Sequence, residues 1–104
     1  MIFQPHRYSR TAQLFDDFVK VLTKTDSLIL LDIYSASEKP IRGINSRTIA
    51  ETIKQNGHKD VTYLKDNDEV INLIKNKKDY VDIVVTQGAG SISKVCESIK
   101  DKWK

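Results

Sequence analysis

The sequence is poor in the residues that would commit it to an unusual class. It has one cysteine, Cys96, so no internal disulfide can form, and a reducing, cytoplasmic setting is expected. No apolar run exceeds the four residues Leu28-Ile29-Leu30-Leu31, far short of a membrane-spanning helix, and the N-terminus lacks the apolar stretch of a signal peptide. Charge of one sign forms no extended patch: lysines alternate with acids, as in Lys65-Asp66-Asn67-Asp68-Glu69, and the net charge is only +3. A surface that tracks a phosphate backbone needs a one-signed patch, so nucleic acid is not an expected partner, nor is a membrane. The cluster Lys75-Asn76-Lys77-Lys78 reads instead as the solvated last turn of a helix. His6 and His58 have no partners at metal-ligand spacing, so no metal site is expected. A Walker-type phosphate loop is absent, and the dinucleotide pattern suggested by Gly88-Ala89-Gly90 breaks at Ser93.

What is present is an alternation of strands and helices within 104 residues, enough for one domain and one hydrophobic core. Residues 1–3 form a strand stub. Leu14, Phe15, Phe18, Val19 and Leu22 recur at helical spacing, predicting a helix over about residues 11–24. Residues 27–33 read as a strand whose unbroken apolar core suits burial on both faces. Ser46 is placed to cap a helix running to Asn56, with Gly57 just past its end. A short strand over 61–64 follows. Asp66 and Glu69 then resemble a capping box before a helix that buries Val70, Ile71, Leu73 and Ile74. Residues 81–86 predict the last strand, and Ile92, Val95, Cys96, Ile99 and Trp103 the inner face of a closing helix. The pattern implies a three-layer α/β domain with a mostly parallel sheet and helices on both faces.

In such sheets ligands bind beyond the carboxyl ends of the strands, which selects the loops at residues 4–10, 34–45 and 87–91. Pro5 bars an ordinary helix or central strand from the first loop. Arg7 and Arg10, three apart, can face one pocket, and their guanidinium forks match carboxylate or phosphate oxygens, with a helix start beneath them as a further source of donors. His6 can donate to the same anion, take a proton from an incoming amine, or be a structural histidine bonded to a carbonyl. Asp32, a charge at the end of an apolar strand, should be paired or aimed at the ligand edge. Glu38 reads as solvated. The Gln87-Gly88-Ala89-Gly90 turn lets backbone approach a ligand closely. From the residues alone, a free-standing α/β module binding a carboxylate or phosphorylated ligand without catalysis remains an alternative.

Three stretches in this order, Phe3-Gln4-Pro5-His6-Arg7-Tyr8-Ser9-Arg10-Thr11, Asp32-Ile33-Tyr34-Ser35-Ala36-Ser37-Glu38-Lys39-Pro40-Ile41 and Gln87-Gly88-Ala89-Gly90, resemble the C-terminal domain of the Mur ligase family. The first is the most specific, and its His-Arg pairing looks like the branch that adds alanine. The resemblance implies a Rossmann-like domain and ATP-dependent amide synthesis in peptidoglycan assembly. The muramic carboxylate of UDP-N-acetylmuramate becomes an acyl phosphate, and the amine of L-alanine displaces phosphate. It further implies that His6, Arg7 and Arg10 line the amino-acid and acyl-phosphate side. Gln87, Gly88 and Gly90 would lie near the incoming amino acid, and Asp32 and Tyr34 would support the site. No residue here is thereby given a catalytic role. By the resemblance, residues 1–104 are a partial C-terminal domain without the family's N-terminal and central ATPase domains. ATP and magnesium would be bound mainly outside this stretch, and the chain alone would not turn over. Ser35, Ser37, Ser91 and Ser93 depart from the family's familiar residues and bear on loop geometry.

Overall fold

The computed structural model describes residues 1–65, 67–77, 83, 85–88 and 92–102, without the side chains of residues 67, 77, 101 and 102. Its elements run β1 (Ile2–Gln4), α1 (Tyr8–Gln13), α2 (Phe15–Leu22), β2 (Leu28–Leu31), α3 (Ser46–Gln55), β3 (Val61–Leu64), α4 (Asn67–Lys77), β4 (Thr86–Gly88) and α5 (Ile92–Lys102). The described strands make one four-stranded sheet in the order β3-β2-β1-β4. All of its pairs are parallel.

The continuous apolar run of β2 has a direct cause in this layering, because successive side chains of a strand face opposite sides and each side is covered by helices. Ile29 and Leu31 pack with Ile2 of β1 against Val70, Ile71 and Ile74 of α4 and Ile92, Val95 and Ile99 of α5. Leu28 and Leu30 pack with Phe3 against Val19 and Leu22 of α2 and Ile49, Ala50 and Ile53 of α3. The two faces of the sheet thus hold two separate apolar layers, and the expected three-layer arrangement is the one observed.

Several boundaries differ from the sequence reading, each for a local reason. The first helix begins at Tyr8 rather than near residue 11 and is divided at Leu14, whose φ and ψ of −106° and 15° leave the helical region. Asn45, not Ser46, caps α3, accepting from the Thr48 N–H at 2.8 Å. Ser46 is buried and its hydroxyl donates to the Leu31 carbonyl, tying the start of α3 to the end of β2. Gly57, at φ +100°, ends α3 as expected, with its N–H on Lys54 O and the His58 N–H on Ile53 O in a Schellman arrangement. Of the last strand expected over 81–86, residues 81, 82 and 84 lie outside the described residues; β4 is described over Thr86–Gly88, with Ile2, Phe3 and Gln4 of β1 opposite Thr86, Gln87 and Gly88. Ile83 and Val85 are exposed.

Cys96 is exposed, not core. The buried residues of α5 are Ile92, Val95 and Ile99, and one step past Val95 turns a side chain by about 100°. Leu73 is half-buried where full burial was expected. Asp66 and Trp103 lie outside the described residues, so neither the capping box nor the last core position is assigned.

Candidate functional site

With strand order β3-β2-β1-β4, the chain leaves β1 toward one edge of the sheet and returns through β4 on the other side of β1. The carboxyl ends of β1 and β4 therefore flank the point where the winding reverses, the position at which open α/β sheets form a ligand crevice. An open depression of about 500 Å³ lies beyond the end of β1, lined by His6, Arg7, Ser9, Arg10, Gln13 and Leu14.

Arg7 is the residue on which this depression turns. It has φ 68° and ψ 141°, a conformation rare for any residue with a side chain, and stands at the N-terminal boundary of α1. The cost of such a conformation is about 1–3 kcal/mol, tolerated where surrounding bonds over-determine it. Here the Arg7 N–H donates to the Tyr34 carbonyl at 2.7 Å, while the Arg7 carbonyl accepts from both the N–H and the hydroxyl of buried Thr11, at 3.1 and 2.7 Å. Arg10 follows in the first turn of α1, exposed, and lines the same depression as Arg7.

The loop after β2 is bound to the loop after β1 along its length. His6 and Tyr34 form a parallel bridge, the Tyr34 N–H donates to the Pro5 carbonyl at 2.9 Å, and the two rings stack with centroids 5.8 Å apart at 15°. Parallel pairing of β1 with β2 is thus resumed beyond Pro5. Buried Gln4 adds a side-chain bond to the Asp32 carbonyl at 3.2 Å.

Asp32 was expected to be paired or aimed at the ligand edge; its carboxylate accepts a short hydrogen bond from the Tyr63 hydroxyl at the end of β3. Burial, and then the bond to Asp32, push the Tyr63 phenol from 10.0 up to about 12, and the Arg47 guanidinium lies over the same ring, 5.7 Å from its centroid. The rule that selected three strand-end loops also selects the end of β3. Tyr63 was missed because no unusual loop follows β3, and Arg47 because it lies just past the selected loop at 34–45, inside the first turn of α3.

Glu38 is not simply solvated. Its carboxylate accepts from the Ser9 hydroxyl at 2.6 Å and from the Ser9 N–H at 3.0 Å. Those two Ser9 bonds, the hydroxyl one foremost, hold its carboxyl below the usual range. The donors at the start of α1, read from sequence as open to a ligand, are therefore partly taken by the chain's own glutamate.

Of the glycine turn, Gln87 and Gly88 are described, and they are strand rather than turn, paired to Phe3 and Gln4. Gly88 has φ +139°, and a Cβ there would overlap the Gln4 carbonyl, so only glycine lets β4 approach β1 this closely. Gly90 lies outside the described residues. Among the described residues no group of three or more His, Cys, Asp or Glu could hold a metal ion, and no helix is long and apolar enough to cross a membrane.

Comparison with known proteins gives two findings. The family model described as the glutamate ligase domain of the Mur ligases matches residues 1–90. The chain is also 50% identical over 102 residues to the UDP-N-acetylmuramate–L-alanine ligase of Geotalea uraniireducens (strain Rf4), covering 98% of this chain and 22% of that protein. The chain spans about a fifth of the length of the curated relative it matches.

Proposed function

The chain belongs to the Mur ligase family, and from that premise we propose that it is the C-terminal, amino-acid-holding domain of an enzyme joining L-alanine to UDP-N-acetylmuramate. The observation that carries this reading is the convergence of Arg7, Arg10 and His6 on one depression beyond β1. Two guanidinium forks and an imidazole on one open surface suit the carboxylate of an amino acid and, beside it, an acyl phosphate.

In this reading Arg10 receives the L-alanine carboxylate and Arg7 the neighbouring phosphoryl oxygens. His6, fixed by its stack on Tyr34, lies where the attacking amine passes. That amine, once deprotonated, forms the amide bond to the activated carbonyl as the C–O bond to phosphate breaks. By the family resemblance Gln87 and Gly88, at the end of β4, would border the amino acid, as would Gly90, which lies outside the described residues, and Asp32 and Tyr34 hold the loops that carry the arginines. By the family resemblance, ATP and magnesium would be bound mainly by the parts of the ligase outside this chain.

Arg10→Ala, made in the full-length ligase, tests the reading. Loss of a charged hydrogen bond is worth about 1.5–3 kcal/mol, so KM for L-alanine should rise roughly 10- to 100-fold with kcat and thermal stability little changed. An unchanged KM for L-alanine would overturn the assignment.

A further inference from the structure

Helix α1 is a poor helix by its own means. It has six residues, its N-terminal boundary residue Arg7 offers no side-chain cap, and its first turn holds no acid. A helix that short does not persist without outside support, and its free N–H groups call for an acceptor. The acceptor comes from 29 positions away: Glu38 receives both the N–H and the hydroxyl of Ser9.

The sequence delivers Glu38 there by a specific turn. The Glu38 N–H donates to the Ser35 carbonyl at 3.0 Å, and the two residues between, Ala36 and Ser37, both have positive φ, at 52° and 73°. Positive φ at both central positions is the type I′ turn, which reverses the chain in the least length. Just upstream, Tyr34 is already bonded to Pro5 and Arg7, so the reversal begins from a fixed point and swings residue 38 back over the start of α1. Ser9 and Ser37 are exposed, and neither apolar core layer includes a residue of the 35–38 turn.

We propose that Glu38 is a positioning residue for the amino-acid site: by capping Ser9 across the two loops it holds the first turn of α1, and with it Arg10, in the orientation that receives a carboxylate. This rests on the reading of Arg7 and Arg10 as the anion site. Glu38 touches no substrate in this role. A capped first turn fixes the Arg10 backbone before the ligand arrives, so ordering that turn is not charged against binding.

The test uses the full-length ligase with Glu38→Gln, Ser9→Ala, the double variant, Ser9→Thr and Arg10→Ala. Glu38→Gln loses the charge, and Ser9→Ala loses only the hydroxyl donor. Each should raise KM for L-alanine about fivefold, the scale of losing one helix cap, with KM for ATP and for UDP-N-acetylmuramate unchanged. The double variant should be no worse than the more affected single, because both act through one contact. Ser9→Thr, which keeps both donors, should undo most of the rise in KM that Ser9→Ala causes. An unchanged KM for L-alanine in Glu38→Gln and Ser9→Ala overturns the proposal, as do additive effects or equal losses for all three substrates. The two levels separate through Arg10→Ala: if it alone raises KM for L-alanine, the anion site stands and the cap falls; if it has no effect, the anion site itself falls.

Discussion

Gly88→Ala is the substitution for which the structure sets the cost most sharply. Gly88 faces Gln4 across the β1–β4 pair and has φ +139°. A Cβ there would stand 3.1 Å from the Gln4 carbonyl carbon and 3.2 Å from its Cβ, and closer still to its carbonyl oxygen. Two costs follow. The backbone conformation is foreign to a residue with a side chain, worth about 1–3 kcal/mol. The overlap is with backbone, which no rotamer change relieves, and forced overpacking of this kind adds about 1–3 kcal/mol. The sum, about 2–6 kcal/mol, is a large share of the 5–15 kcal/mol that typically stabilises a domain. Gly57→Ala provides the control, because Gly57 also has positive φ, +100°, but a Cβ there meets nothing within 4 Å. Urea unfolding of the 104-residue chain, followed by circular dichroism, should show Gly88→Ala losing about 1–3 kcal/mol more than Gly57→Ala. Equal losses at the two positions would refute the argument that close strand approach is what demands glycine at 88.

Two further outcomes are expected. Ser37→Gly should stabilise the chain by roughly 0.5–1 kcal/mol, because relief of the left-handed conformation at φ 73° outweighs the added freedom of the unfolded chain; a lower urea midpoint would contradict the type I′ turn. Tyr63 carries a pH signature with a definite sign. Its phenol is pushed from 10.0 up to about 12 in the fold, so its stabilising effect is complete below pH 10 and is lost as pH rises through about 12. The parent should therefore lose stability faster than Tyr63→Phe between pH 10 and 12, and parallel pH curves would show that the bond to Asp32 does not hold the proton.

The layered sheet was legible in the sequence because its cause is a pattern: four consecutive apolar residues at 28–31 require cover on both faces, and amphipathic segments on either side supply it. Of the candidate site, the residues that residue type alone singled out, His6, Arg7 and Arg10, are ones the fold gathers along one depression. The site was not legible where a contact depends on the path of the backbone. Nothing local marks Glu38 as different from a solvated acid, since its role depends on two residues at positive φ that are neither glycine nor asparagine. Ser46 illustrates the same limit: a serine before a helical run reads as a cap, but its hydroxyl goes to Leu31, and the neighbouring asparagine caps instead. β4 runs on to Gly88, past its expected end at residue 86, because pairing with β1, and not local hydrophobicity, sets where it ends.

The miss at Glu38 has a physical origin that bears on the candidate site. Arg7 is strained, α1 is short, and Ala36 and Ser37 sit in a conformation unfavourable to them, so neither loop would hold this shape alone. Each is held by the other, through the His6–Tyr34 bridge, the Arg7 N–H on Tyr34 and the Glu38 carboxylate on Ser9. Strain distributed over two mutually dependent loops makes their ordering cooperative, since losing one bond releases the residues that the others constrain. A ligand that bridges Arg7 and Arg10 adds one more tie to the same pair of loops, and so stabilises Glu38 on Ser9 as much as Glu38 on Ser9 favours the ligand.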